Sequence, residues 1–215
     1  MSHLCAQGLV PRPTVAEVHA ALVAWRGLIV HFSGVPKLLS SGFSGVFPDD
    51  LRNVRDGNAQ GGISCSTVRA GDVFENTEGN RNSNGCVGLI VRSRSPWSLV
   101  GVAVGDAGSS VDPITMERTC WHANLPLQID EVQWDLDGRM PDGCNEWVMR
   151  DYDVLGLLAQ LPLHVHQYGT KATPDELRYA ADGLPIYTFR GGVLNEVDSQ
   201  LALTRAVPIC ELYPP

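Results

Sequence analysis

Val15, Val18, Leu22 and Trp25 recur at helical spacing behind Thr14, and Thr14 with Glu17 has the spacing of a capping box. A helix is predicted from Thr14, with Gly27 as its stop. The short β-branched run 28–32 reads as a buried strand broken by Ser33 and Gly34. Pro48, Asp49, Asp50 and Leu51 open a short helix ending near Gly57, and 63–68 is a second strand. Segments 87–91 and 99–104 read as strands, most simply paired as a hairpin. One more strand is predicted near 129–134. Runs 146–149 and 154–158 follow as strands meeting at a corner formed by Asp151, Tyr152 and Asp153. Thr173 and Glu176 repeat the capping-box spacing and predict a helix to Gly183. Segments 186–189 and 193–197 form a hairpin across Arg190, Gly191 and Gly192. Residues 1–13 read as a loose leader, and 36–48 and 75–85 as polar loops.

The order is helix, strand, helix, then many strands, without regular βαβ alternation. A doubly wound parallel sheet is therefore disfavoured. The expectation is one α+β domain over residues 1–215, largely antiparallel, with short flanking helices.

Composition changes this picture little. With 44% hydrophobic and 19% charged residues, the chain has the balance of a globular protein. The 22 Gly and 14 Pro favour turns and strands over long helices. A net charge of -8 opposes nonspecific binding to a phosphate backbone, although Arg52, Arg55, Arg69, Arg81, Arg92 and Arg94 crowd one part of the chain. Cys5, Cys65, Cys86, Cys120, Cys144 and Cys210 are scattered with no CxxC pair, which predicts reduced thiols and a cytoplasmic protein. No apolar run approaches the ~20 residues of a membrane span, so no membrane partner is expected.

Three constellations carry candidate chemistry. His31, Phe32, Ser33 and Gly34 end a buried strand, where an imidazole and nearby amides can meet a ligand. The plainer alternative is a core histidine satisfied by a backbone carbonyl. On the second strand, alternation puts Ser64 and Ser66 on one face and Cys65 and Thr67 on the other. A row of hydroxyls suits a sugar or phosphate, and equally a solvated face. Glu146 opens an apolar strand, where a carboxylate can stabilise developing positive charge or simply end the strand.

In this order the three motifs resemble the ADP-ribosyltransferase fold. The similarity is to its diphtheria-toxin-like branch with a His-aromatic-Glu triad, which broadly includes the DarT-like transferases. His31-Phe32-Ser33 matches the family's His-x-Thr or His-x-Ser stretch, Gly62 to Thr67 its Gly-x-x-Ser-Thr strand, and Glu146 its late catalytic carboxylate. The resemblance covers about residues 28–160. It implies two packed sheets around a central NAD cleft and transfer of ADP-ribose from NAD⁺ to a macromolecular acceptor, protein or nucleic acid. A toxin or defence role, with an antitoxin or immunity partner, belongs to the same expectation. Glu146 would stabilise the oxocarbenium-like transition state and bond the ribose 2′-hydroxyl. His31 would bond the adenosine ribose, and Ser33 and Gly34 would hold the adenylate side, with Ser64 and Ser66 in the cofactor-binding strand. Phe74 is the candidate for stacking on nicotinamide, where the family more usually has Tyr. A second departure is Cys144, which stands two before Glu146 where arginine- and asparagine-modifying members carry Glu or Gln.

Two rival enzymes and a non-enzyme stay open. His164, His166, Cys120 and His122 could form a zinc site. Cys65 with His31, or a turn around Asp106 to Ser109, could serve a hydrolase. Trp97, Trp121 and the polar loops would suit a non-catalytic binding module.

Overall fold

The computed structural model describes residues 14–33, 47–57, 62–69, 86–103, 146–165, 171–190 and 192–215. The leader, most of the 36–48 loop, the 75–85 loop and the 129–134 strand lie outside these residues.

Helix α1 (Val15–Trp25) starts where the capping box puts it. The Thr14 side chain accepts from the Glu17 amide, and the Glu17 carboxylate accepts from the Thr14 amide at 2.7 Å. Its end differs from the expected glycine stop. Arg26 takes the left-handed cap conformation at φ 52°, and Gly27 already belongs to β1 (Gly27–Phe32). Gly27 serves a close approach instead. A Cβ there would stand 3.3 Å from Thr67 Cγ2 on the neighbouring strand.

The remaining elements are α2 (Asp49–Arg55), β2 (Ile63–Arg69), β3 (Val87–Ser93), β4 (Leu99–Ala103), β5 (Glu146–Met149), β6 (Tyr152–Ala159), α3 (Pro174–Ala181), β7 (Ile186–Arg190), β8 (Val193–Val197), β9 (Leu203–Val207) and α4 (Ile209–Leu212). Among the described residues the fold is α+β. Its nine strands form one hydrogen-bonded series, β4-β5-β2-β1-β3-β6-β7-β8-β9. All neighbours are antiparallel except β6 and β7.

The parallel pair has only two register contacts, and Gln160 lengthens it. The buried Gln160 amide accepts from the Phe189 N–H at 3.1 Å and donates to the Phe189 carbonyl.

The expected β3–β4 hairpin does not form. β3 lies between β1 and β6, and β4 pairs with β5. Ser98 explains the turn-off. Its Oγ accepts from the Arg94 and Ser95 amides and donates to the Asp151 carbonyl at 2.6 Å, so 94–98 and 150–151 bend together. The β3–β6 ribbon continues round this corner as the β4–β5 ribbon.

β1 is buried along its whole length and β3 nearly so. α1 packs against β1 and the C-terminal turn, while α2 packs against β3 and α3, and α3 also lies on β6. Tyr213 ties the C-terminus to the sheet. Its hydroxyl accepts from Ile29 N–H at 3.0 Å and donates to the Val91 carbonyl at 3.2 Å. Burial pushes this phenol's pKa far up, so it stays a donor at any ordinary pH. Tyr213→Phe strands one buried N–H and one buried C=O. It should destabilise the protein by ~1–3 kcal/mol, read as a lower urea midpoint at unchanged m-value.

No helix among the described residues is long and apolar enough to cross a membrane.

Candidate functional site

Strand β2 is shared between two sets of neighbours. Its second half pairs with β1 from Gly27↔Arg69 to Val30↔Ser66. Its first half pairs with β5 from Ile63↔Met149 to Cys65↔Trp147. The β1 ladder thus stops where the β5 ladder starts, and β1 and β2 part at His31.

His31 fills this opening. Its Nδ1 lies 2.7 Å from the Ser64 carbonyl oxygen. A carbonyl only accepts, so Nδ1 carries the hydrogen and Nε2 the lone pair. Burial pushes the imidazole pKa down more than the Ser64 carbonyl and Asp50 raise it, so the ring is neutral. The contact seen is the plainer of the two alternatives: the buried histidine is satisfied by a backbone carbonyl, that of Ser64 on β2. Gly88 allows the arrangement from the other side. It pairs with Phe32, and a Cβ there would stand 2.5 Å from the His31 carbonyl oxygen.

The neutral ring has a consequence for stability. His31 has a folded pKa below its unfolded value of ~6.5, so the unfolded chain takes up the proton first. Its contribution is whole above that pH and falls away as pH drops through the folded value. His31→Asn puts an amide N–H near the Nδ1 position without a titrating ring. Urea midpoints measured from pH 7 to pH 5 should fall less steeply for His31→Asn than for the unaltered chain.

Ser33 follows β1, its amide bonded to the Val87 carbonyl at 3.0 Å. Its Oγ donates to Asp50 Oδ2 at 2.6 Å, and Asp50 Oδ1 accepts from the Leu51 amide at 2.7 Å. Asp50 is a buried carboxylate that clamps the end of β1 to the first turn of α2. Sequence reading passed over it as a first-turn acid. Its partner is 17 residues away, and no local pattern joins the two.

On β2, Ile63, Cys65 and Thr67 are buried, while Ser64 is exposed and Ser66 half-buried. The alternation follows the predicted faces, and the hydroxyl row is the open one. Glu146 is placed by its backbone. It opens β5 and pairs with Ala103 of β4. The β2–β5 register runs as far as Cys65↔Trp147, one residue short of both Ser66 and Glu146. Two strand spacings put β5 about 10 Å from β1 across β2. Gly34 and Phe74 lie outside the described residues.

The rival constellations are described only in part. His164 is present, bridged through its backbone to Lys171, while Cys120, His122, His166, Trp121 and the Asp106 to Ser109 turn lie outside. Among the described residues no three His, Cys, Asp or Glu side chains gather as a metal site. Cys65 is 2% exposed on the core face, which keeps its thiol from a substrate arriving through solvent. Cys65, Cys86 and Cys210 are thiols, and burial raises the Cys86 pKa, leaving it a poor nucleophile.

No protein-family model, curated protein or solved structure matches the chain.

Proposed function

We propose that the chain is an NAD⁺-dependent mono-ADP-ribosyltransferase whose site opens where β1 and β2 part. One observation carries the reading. The three motifs picked out in sequence, 115 positions apart at their extremes (146 − 31), fall on three consecutive neighbours of the sheet, β5, β2 and β1. Nothing in the local sequence requires that adjacency, and a shared ligand gives it a purpose.

The residues suit the chemistry. Cleaving the nicotinamide–ribose bond sends the bonding pair to the pyridinium nitrogen and leaves C1′ electron-poor. A carboxylate at Glu146 favours that charge more in the transition state than in bound NAD⁺. The acceptor's nucleophile then bonds C1′ and gives up its proton. Neutral His31 suits hydrogen bonding to an adenosine ribose, since it adds no charge beside the diphosphate. The exposed Ser64 and half-buried Ser66 offer hydroxyls on the open face of β2, and Ser33 is held by Asp50. Gly34 and Phe74 complete the proposed NAD⁺ set through the adenylate and the nicotinamide ring. The acceptor is a macromolecule, and a toxin or defence role with an antitoxin or immunity partner belongs to the same proposal.

The test is incubation of the purified chain with NAD⁺ and cell lysate, followed by intact-mass analysis of the protein and nucleic-acid fractions. Nicotinamide release and one fraction gaining ADP-ribose are expected. Intact NAD⁺ after prolonged incubation with every fraction would refute the proposal.

A further inference from the structure

A second concavity lies at the corner where the β3–β6 ribbon bends into β4–β5. It has a volume of about 680 Å³, and its walls include Arg55, Arg94, Arg150, Asp151, Tyr152 and Gly62. A smaller cavity of about 430 Å³ shares Arg55, Arg94 and Tyr152, and adds Arg92 and Asp153. Gly62 is two residues from Ser64, about 7 Å at strand rise, so the corner borders the end of β2 that carries Ser64.

Four guanidiniums from α2, β3 and the β5–β6 corner converge here. They face three carboxylates, Asp56, Asp151 and Asp153, in a chain whose net charge is -8. Asp182 pairs with Arg55 as a fourth carboxylate, so the corner balances its charges where the chain as a whole is acidic. The carboxylates also hold the arginines in place. Asp153 accepts from Arg94 Nε at 2.6 Å and from Arg92 Nη2 at 2.9 Å, and Asp151 accepts from Arg94 Nη1 at 3.2 Å. Arg94 makes these bonds from Nε and Nη1, and none of them uses Nη2. Arg55 is fixed by Asp56, Asp182 and the Ala180 carbonyl. Guanidiniums braced on one side present their remaining N–H groups at little further entropic cost.

We propose that this corner is an oxyanion site that takes a phosphate-bearing ligand of nucleotide size. A single carboxylate would satisfy one guanidinium fork, whereas a phosphate or diphosphate has oxygens enough to engage several. The volume is within the range of small-ligand pockets. The site does not depend on NAD⁺ chemistry, and it stands or falls separately from the transferase reading.

The test is calorimetric titration of the full chain with pyrophosphate, and separately with adenosine monophosphate, at constant ionic strength. Saturable binding of either probe at one site per chain is expected. Tighter binding of pyrophosphate marks a free oxyanion as the ligand, and tighter binding of the monophosphate marks a nucleotide. Arg94→Gln and Arg150→Gln should each weaken binding about tenfold, the effect of one lost charge-assisted hydrogen bond. Arg94 has a half-exposed side chain, and Arg150 provides an independent second position if Arg94→Gln fails to fold. Arg205→Gln removes an arginine paired with Glu196 and Glu211 away from the corner, and should leave binding unchanged. No saturable binding of either probe, or equal weakening by Arg205→Gln, would overturn the proposal.

Discussion

Glu146→Gln should lower nicotinamide release from NAD⁺ by ~10²-fold or more while leaving the fold and NAD⁺ affinity nearly unchanged. The amide keeps the shape of the carboxylate and removes its charge. A group that acts on developing positive charge contributes to kcat rather than to ground-state binding, so the loss should appear in kcat at near-constant KM. Glu146 begins β5, where its backbone pairs with Ala103 of β4. Steady-state rates and a urea titration on the same sample separate the two effects. If turnover survives, another carboxylate does the work, and Glu131 is the next to replace.

The adjacent position should behave in the opposite way. Trp147 is fully buried on the core face, across from Cys65. Trp147→Ala leaves a cavity under β5 and should cost ~3–5 kcal/mol, a large part of the stability of an ordinary domain. Trp147 Nε1 is buried with no hydrogen-bond partner among the described residues. Trp147→Phe therefore removes an unsatisfied donor along with some contact area, and should cost much less than Trp147→Ala. Urea midpoints of the two variants give the comparison.

Local signals were legible in the sequence where the structure is made locally. Both capping boxes, at Thr14 and Thr173, start their helices as read. The β7–β8 hairpin forms as expected, with Arg190 paired to Val193. The β5–β6 corner falls where Asp151 was read, and Asp151 adopts φ 51° to make it. Pairing was less legible, because it is decided by partners far along the chain. The β3–β4 hairpin was the shortest connection available, but Ser98 bonds the backbone of residue 151, and the two ribbons bend together instead. β9 and α4 were missed. β9 is exposed at all but Val207, so it lacks the alternation of a half-buried strand.

The site was legible as residue types, not as geometry. Alternation was enough to separate Ser64 and Ser66 from Cys65. It could not reveal that β1 pairs with β2 only as far as Val30↔Ser66, beyond which the His31 ring meets the Ser64 carbonyl. Nor could it pair Ser33 with Asp50. The arginines that crowd the sequence from 52 to 94 are mostly engaged. Arg52 lies over the Tyr179 ring at 4.2 Å, and Arg55, Arg92 and Arg94 are bonded to carboxylates. Their clustering in sequence pointed to a corner of the fold, not to an open basic face.

The central claim is that β1, β2 and β5 together hold NAD⁺, and hydrogen exchange with and without NAD⁺ tests it most directly. Exchange should slow at the end of β1 near His31 to Ser33, along Ser64 to Thr67 of β2 and at the start of β5. The β7–β9 region should be unaffected. No change anywhere, or slowing confined to the Arg94 and Arg150 corner, would contradict the account.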